Sequence, residues 1–466
     1  MKGFLTVFAM LGFVIPSSIR AATITVTSAA DSGTGSLRDT IAAASPGDNI
    51  IFSVTGTITL TGGALKIDKS LTISGPGARD LAVSGNNADR VFVVNSGATV
   101  TISGLTIENG KALNGGGGGG VSNLGILTVT NSAVTGNSAL NFGGGIENLG
   151  TLTLTSSTVS SNLADCCYGG GIYNGGTLTL TNSTVSGNSV KLFFGGGIEN
   201  FGSLTLTNST VAGNTAGCCH GGGIGNSGTL TMKNTILASS LSSGNCYAGN
   251  GAVFVSQGHN LSDDASCAGW LTSVGDKSGT PAGLDPGGLK NNGGPTQTIA
   301  LLPSSAAVDG VPLSPANYCT LTDGVTLVAT DQRGGERPSG SACDIGAFEL
   351  VQTMTVTIAI KPGEDPVTIN SKSKGTIPVA VLSSPLFDAV AQVDQTSLTF
   401  GHTGSEKSLA FCSGPQDVNG DGLLDLVCHF DTPLTRFQTS DTKGVLEGKV
   451  LGGKNMMGND SVMIAH

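Results

Sequence analysis

The sequence predicts an all-β chain: a right-handed parallel β-helix with an N-terminal helical cap, followed by a smaller, β-sandwich-like domain. Three observations carry that prediction. A triple glycine followed by isoleucine at 143–146 returns at 169–172, 195–198 and 221–224, each step 26 residues long. A Gly-Gly-Gly-Val copy at 118–121 precedes them by 25 residues. Within each unit, segments such as Thr177 to Thr181 alternate apolar and polar residues with period two, the mark of a strand with one buried face. Asparagines recur in two columns, at 123, 148, 174, 200 and 226 and at 137, 162, 188 and 214. Self-similarity of this kind signals a solenoid, whose single coil cannot bury its apolar face alone.

The organisation is read as residues 1–22 signal peptide, 23–350 β-helix with capping and closing regions, and 351–466 C-terminal β domain. Lys2, the apolar run Phe4 to Ile15, the break at Pro16 and the small Ala21 and Ala22 form the export signal. That run is too short to span a bilayer, so no transmembrane helix is expected in the mature chain. Ser36 to Ala44 fits a short amphipathic helix, capped by Ser36 and ended by Pro46-Gly47, which would cover the open end of the solenoid. Irregular coils are expected through Ile58, Ile73, Val83, Val93 and Ile102. In the regular coils, three strands per unit place Leu152, Leu154 and Val159 beneath Leu178, Leu180 and Val185, then Leu204, Leu206 and Val211. Ile146, Ile172, Ile198 and Ile224 form another inward column. Asparagine tolerates left-handed backbone and hydrogen-bonds neighbouring backbone, which suits both of its columns to turns. The segment before the glycines absorbs the variation in coil length and is read as a loop.

The units Gly-Gly-Gly-Ile-Glu-Asn at 143–148 and 195–200, and Thr-Leu-Thr-Leu-Thr-Asn-Ser-Thr-Val at 177–185, resemble the repeats of polymorphic outer-membrane proteins. More broadly they resemble the pectin-lyase-like β-helix superfamily. The stretch 35–52 is similar to the segment that opens many secreted bacterial β-helix proteins. Gly258-His259-Asn260-Leu261 and the run from Asp331 to Glu349 resemble the closing region of that family. The resemblance implies the fold; its activities range from enzymes to adhesins.

Composition narrows function. The formal charge is −10, from 22 basic and 32 acidic residues, with no basic run. That argues against nucleic acid or anionic membrane as partner. No oligomeric state is implied. Ten cysteines in an exported chain suggest disulfides. Local pairings are Cys246 with Cys267, Cys319 with Cys343, and Cys412 with Cys428. The vicinal pairs Cys166/Cys167 and Cys218/Cys219 either close on themselves or stay reduced.

Phe142, Tyr168, Phe194 and His220 each precede a triple glycine and form a column that either contacts sugar rings or simply stabilises the stack. Glu147 and Glu199 lie two coils apart with Tyr173 between them, a separation of about 9.6 Å from strand spacing, at the upper range for inverting glycosidases. Solvent-facing glutamates are the plainer reading. Asp417, Asn419, Asp421, Leu423 (by its carbonyl) and Asp425 match the spacing of a calcium loop, with Gly422 at the sixth position. The loop resembles the short calcium motifs of secreted bacterial repeat domains, but Cys428 stands where an EF-hand has glutamate. Asp431 or Asp441 would complete a structural calcium site. The expectation is therefore a non-catalytic secreted or cell-surface protein for adhesion or contact with polysaccharide or a host glycan. A polysaccharide lyase or glycoside hydrolase on the same scaffold is the alternative.

Overall fold

A computed structural model describes residues 21–113, 116–217, 221–241, 244–451 and 454–465. Residues 1–20, the greater part of the expected signal peptide 1–22, and Cys218, Cys219 and His220 lie outside the described residues. Each regular coil is built from four strands, not three. In one coil they are Ile146–Asn148, Thr151–Thr155, Thr158–Ser160 and the two-residue Leu163–Ala164. We call these faces one to four. Each face pairs in parallel with its equivalent in the next coil, giving sheets of 8, 10, 9 and 5 strands among the described residues. The fourth strand is too short to show period two, so the sequence pattern reads it as loop.

Register is set one coil at a time. Ile146 pairs with Ile172, Ile172 with Ile198 and Ile198 with Ile224. All four isoleucines are fully buried, in one core with Leu152, Leu178 and Leu204 of face two. A slip of one residue would turn every such side chain to solvent, so burial enforces the register. The expected irregular coils follow the same rule at Ile58, Ile73, Val83 and Ile102. Val93 departs from it: Phe92 and Val94 point inward and Val93 outward. In an unbroken apolar run the alternation cannot be phased from sequence.

The asparagines are internal amide ladders. Asn123, Asn148, Asn174 and Asn200 each donate Nδ2–H to the Oδ1 of the next asparagine at 2.7 Å. Asn137, Asn162 and Asn188 do the same at 2.9–3.0 Å, and their backbone N–H groups donate to the same oxygens. Left-handed backbone falls instead on Asn131, Ser156, Asn182, Asn208 and Asn234, between faces two and three. The expected hydrogen bonding holds for the two columns; the expected left-handed turn belongs to this third one.

The N-terminal helix spans Leu37–Ala43 and the Ser36 hydroxyl accepts the Asp39 N–H at 3.2 Å. Leu37 and Ile41 join the solenoid core. At the other end, Trp270 stacks on Phe254 at 4.2 Å and Cys246 is joined to Cys267. Beyond this cap the chain turns back along the flank of the solenoid. Residues 280–350 lie over face three, burying Thr158, Thr184 and Thr210. Ala212, Ile236, Ala238 and Leu261 form a second core there with Ile299, Leu301, Val311, Ile345 and Phe348. Gln332 hydrogen-bonds Thr158 and Thr184, and Ala347 N–H donates to the Thr210 hydroxyl. Cys319 and Cys343 are joined within this strap. An ion pair, Arg337 to Glu349 at 2.9 Å, is buried inside it.

Residues 353–465 form two four-stranded sheets and a two-stranded one, mostly antiparallel, sharing a core around Phe400, Phe430 and Leu446. Cys412 and Cys428 are joined across neighbouring strands. No described helix is long and apolar enough to cross a membrane.

Candidate functional site

Face one carries the site on its outer side. Because Ile146 and Asn148 point inward, Glu147 must point outward, and the same holds for Tyr173 and Glu199. The resulting outward column reads Ser122, Glu147, Tyr173, Glu199, Gly225, Tyr247. Beside it, just before the triple glycines, run Phe142, Tyr168 and Phe194, bridged in parallel. The glycines bring this segment close to face four: a Cβ on Gly144 would lie 2.4 Å from the Leu163 carbonyl. A side chain there would push the aromatic segment away from the coil.

The structure brings the predicted rings together and adds others. Phe142 and Tyr168 are stacked with nearly parallel planes at 6.0 Å, Tyr168 and Phe194 lie 6.2 Å apart, and Phe194 stacks on Tyr247 at 4.5 Å. Tyr173 sits 5.0 Å from Phe142 and 5.7 Å from Phe201, whose edge meets Tyr168 at 5.6 Å. Phe193 packs on Tyr168 at 5.5 Å. These separations lie in the favourable range for aromatic pairs. Among the described residues seven rings therefore form one connected cluster, holding three of the chain's four tyrosines. Its rim is open: Phe193 is 39% exposed, Phe201 44%, and Leu149 and Leu192 about half exposed. Phe201 was missed in the sequence although it follows the Asn200 ladder position as Leu149 follows Asn148; that turn column repeats at coil spacing. Cys166 and Cys167, immediately before Tyr168, are joined to each other.

The two glutamates have different surroundings. Glu147 is half-buried and accepts the Ser122 hydroxyl at 3.1 Å. Glu199 is 1% exposed, and its Oε2 has no hydrogen-bond partner among the described residues. It fills the space left by glycine in the next coil: a Cβ on Gly225 would stand 1.9 Å from Oε2. Burial pushes its pKa up to about 8, so the carboxyl is largely protonated at neutral pH. Burial, then the charges of Glu147 and Glu199, push the Tyr173 hydroxyl above its ordinary range.

The calcium-type loop lies apart from this face. Asp417 accepts the N–H groups of Gly420, Asp421 and Gly422 at 2.7–3.2 Å, which folds the loop around its carboxylate. Asn419 Nδ2 reaches Asp421 at 3.0 Å, so three of the expected oxygen-bearing side chains converge on an exposed turn. Oxygen donors are the kind a hard cation takes, but among the described residues no group of three or more His, Cys, Asp or Glu side chains is placed to hold a metal ion. Asp425 is placed differently: it is fully buried and accepts the N–H groups of Ser383 and Val418 at 2.8 and 3.0 Å. Leu423 donates its N–H to Asp421 at 2.8 Å. Asp441 is committed to His402 and the Gln438 N–H. Asp431 ends the strand Leu426–Asp431, about 20 Å along from Asp425. Neither guessed completing ligand reaches the loop.

No family model matches the chain, and no curated protein is similar to it in sequence. A crystal structure of pectate lyase Pel9A is similar in fold at 15% identity and a TM-score of 0.42, covering 71% of this chain and 97% of that chain.

Proposed function

We propose that this is a non-catalytic exported β-helix protein that contacts polysaccharide through the aromatic side of face one. The observation that supports it is the connected cluster of seven rings with an open rim, on a solenoid whose neighbouring outer face is threonine and serine. Rigid aromatic surface offers apolar contact to the flat side of a sugar ring at small entropic cost, and Glu147 beside it offers an acceptor for hydroxyls. Disulfides at Cys246–Cys267, Cys319–Cys343 and Cys412–Cys428 suit an oxidising, extracellular setting. The 417–425 loop, in this reading, holds a structural calcium ion through Asp417, Asn419 and Asp421. Screening the mature chain on a glycan array tests the proposal. Binding to a defined polysaccharide should fall tenfold or more with Tyr173→Ala and Phe201→Ala, without release of sugar. Binding that survives both substitutions would remove the aromatic face from consideration.

One observation favours the hydrolytic alternative: the unequal surroundings of Glu199 and Glu147, the asymmetry an acid and a base require. Against it, Glu199 has almost no access to solvent. Reducing ends released by the wild type without any unsaturated ends, and abolished by Glu199→Gln, would decide for hydrolysis.

A further inference from the structure

In the C-terminal unit, a cavity of about 660 Å³ opens between segments 402–407 and 434–438. The His402 N–H donates to the Thr435 carbonyl at 3.0 Å and ties the two segments together. Two carboxylates border this region, and both already accept hydrogen bonds, Glu406 from its own loop and Asp441 from its own loop and from His402. Glu406 accepts the Thr403 hydroxyl at 2.7 Å and the N–H groups of Thr403 and Gly404 at 2.9–3.1 Å. Asp441 accepts the Gln438 N–H at 2.7 Å and pairs with His402 Nδ1 at 2.9 Å. With Nδ1–H donated to the Asp441 carboxylate, His402 holds the 438–441 turn against this segment. Lys407 and Arg436 are exposed, and neither forms an ion pair with a described carboxylate. Arg436 holds a left-handed φ of 57°, uncommon for a residue of its size. The Thr435 hydroxyl bonds the Thr432 carbonyl at 2.7 Å, bracing the turn that precedes it. The cavity is thus left with cationic and neutral donors whose neighbouring acids are already occupied.

We propose that this cavity is an oxyanion site, taking a carboxylate or sulfate group carried on an acidic polysaccharide, with Lys407 and Arg436 as its donors. Guanidinium matches the planar fork of a carboxylate or one edge of a sulfate, and lysine adds a point charge. Because the whole chain carries −10, attraction for a polyanion must be local to such a site and weaken with salt. The inference does not depend on the aromatic face.

Isothermal titration of the mature full-length chain at low ionic strength, with dextran sulfate and polygalacturonate as probes, tests it. At least one probe should bind, and the double variant Lys407→Gln/Arg436→Gln should weaken it tenfold or more with an unchanged unfolding temperature. Lys372→Gln/Lys374→Gln, removing two exposed lysines elsewhere in the same unit, should leave affinity intact. So should Tyr173→Ala/Phe201→Ala, which separates this site from the aromatic one. Three results would overturn the proposal: no binding of either polyanion, equal binding of neutral dextran by the Tyr173→Ala/Phe201→Ala variant, or equal weakening by the control lysine pair. Free sulfate binding as tightly as dextran sulfate would overturn the polysaccharide as its source.

Discussion

Glu199 shows how one side chain couples the solenoid to pH. Its ordinary pKa is 4.5, and in the folded chain burial pushes it up to about 8. The folded state therefore holds the proton more tightly than the unfolded one. That contribution is fully present below about pH 4.5 and is lost as pH rises through about 8. A difference of this size corresponds to roughly 5 kcal/mol between the two limits. Asp344, pushed up to about 7 by burial and by Glu349, shifts stability in the same direction, so a pH profile of the wild type alone does not isolate Glu199. Comparison with Glu199→Gln does. Glutamine keeps the shape and never ionises, so the loss of stability between pH 5 and pH 9, followed by denaturant unfolding, should shrink by several kcal/mol. Identical pH profiles for the two proteins would show that the carboxyl does not remain buried and unpartnered.

At the scale of single elements, the calcium ion proposed for the loop at 417–425 and the structural part played by Asp425 can be told apart. Asp421 is exposed and bonded only within its loop, whereas Asp425 is buried and ties Val418 to Ser383. Adding a calcium chelator should lower the unfolding temperature of the wild type, and calcium should restore it. At a free concentration of 100 times Kd the ion would contribute about 2.7 kcal/mol. Asp421→Asn should abolish the response while leaving the chelated protein as stable as the chelated wild type. Asp425→Asn should destabilise it even with chelator present. A wild type indifferent to chelator would mean that the loop is held by its backbone N–H bonds alone. The loop's spacing was legible because each ligand type has its own position. The inward turn of Asp425 was not, since nothing near it in sequence announces Ser383 as its partner.

For the molecule as a whole, what could be read from sequence follows from what repeats. Ile146, Ile172, Ile198 and Ile224 were legible as one column because each coil imposes the same demand on the same position. The strap was not, because its bonds to face three join residues 137–175 apart with no period of their own. One signal did exist: where earlier coils have Thr-Val-Ser, 236–238 reads Ile-Leu-Ala, and outward Ile236 and Ala238 need cover. The strap docks on the last coils through buried titratable groups. Lys233 Nζ donates to Thr320 and to the Leu321 carbonyl, Asn234 to the Tyr318 carbonyl, and the Tyr318 ring lies 4.6 Å from His259. His259 is 3% exposed with Nδ1 unpartnered among the described residues, and burial lowers its pKa, aided by Lys233 and Lys277 and opposed by Asp276. A lowered folded pKa means that its contribution to stability is present above about pH 6.5 and lost as pH falls through the folded value. Asp344 in the strap runs the other way, its protonation favouring the folded state toward acid. The His259 effect is therefore isolated by substitution. Between pH 7 and pH 5, hydrogen exchange corrected for intrinsic rates should show the Gly346 and Ala347 amides, which bond Asn234 and Thr210, losing protection. The Ile172 amide, bonded to Gly197 inside the solenoid, should keep its own. His259→Gln should flatten the strap's response. Equal loss of protection at Ile172 would mean that strap and solenoid open as one unit, and a strap response in His259→Gln equal to that of the wild type would mean that His259 stays neutral throughout this range.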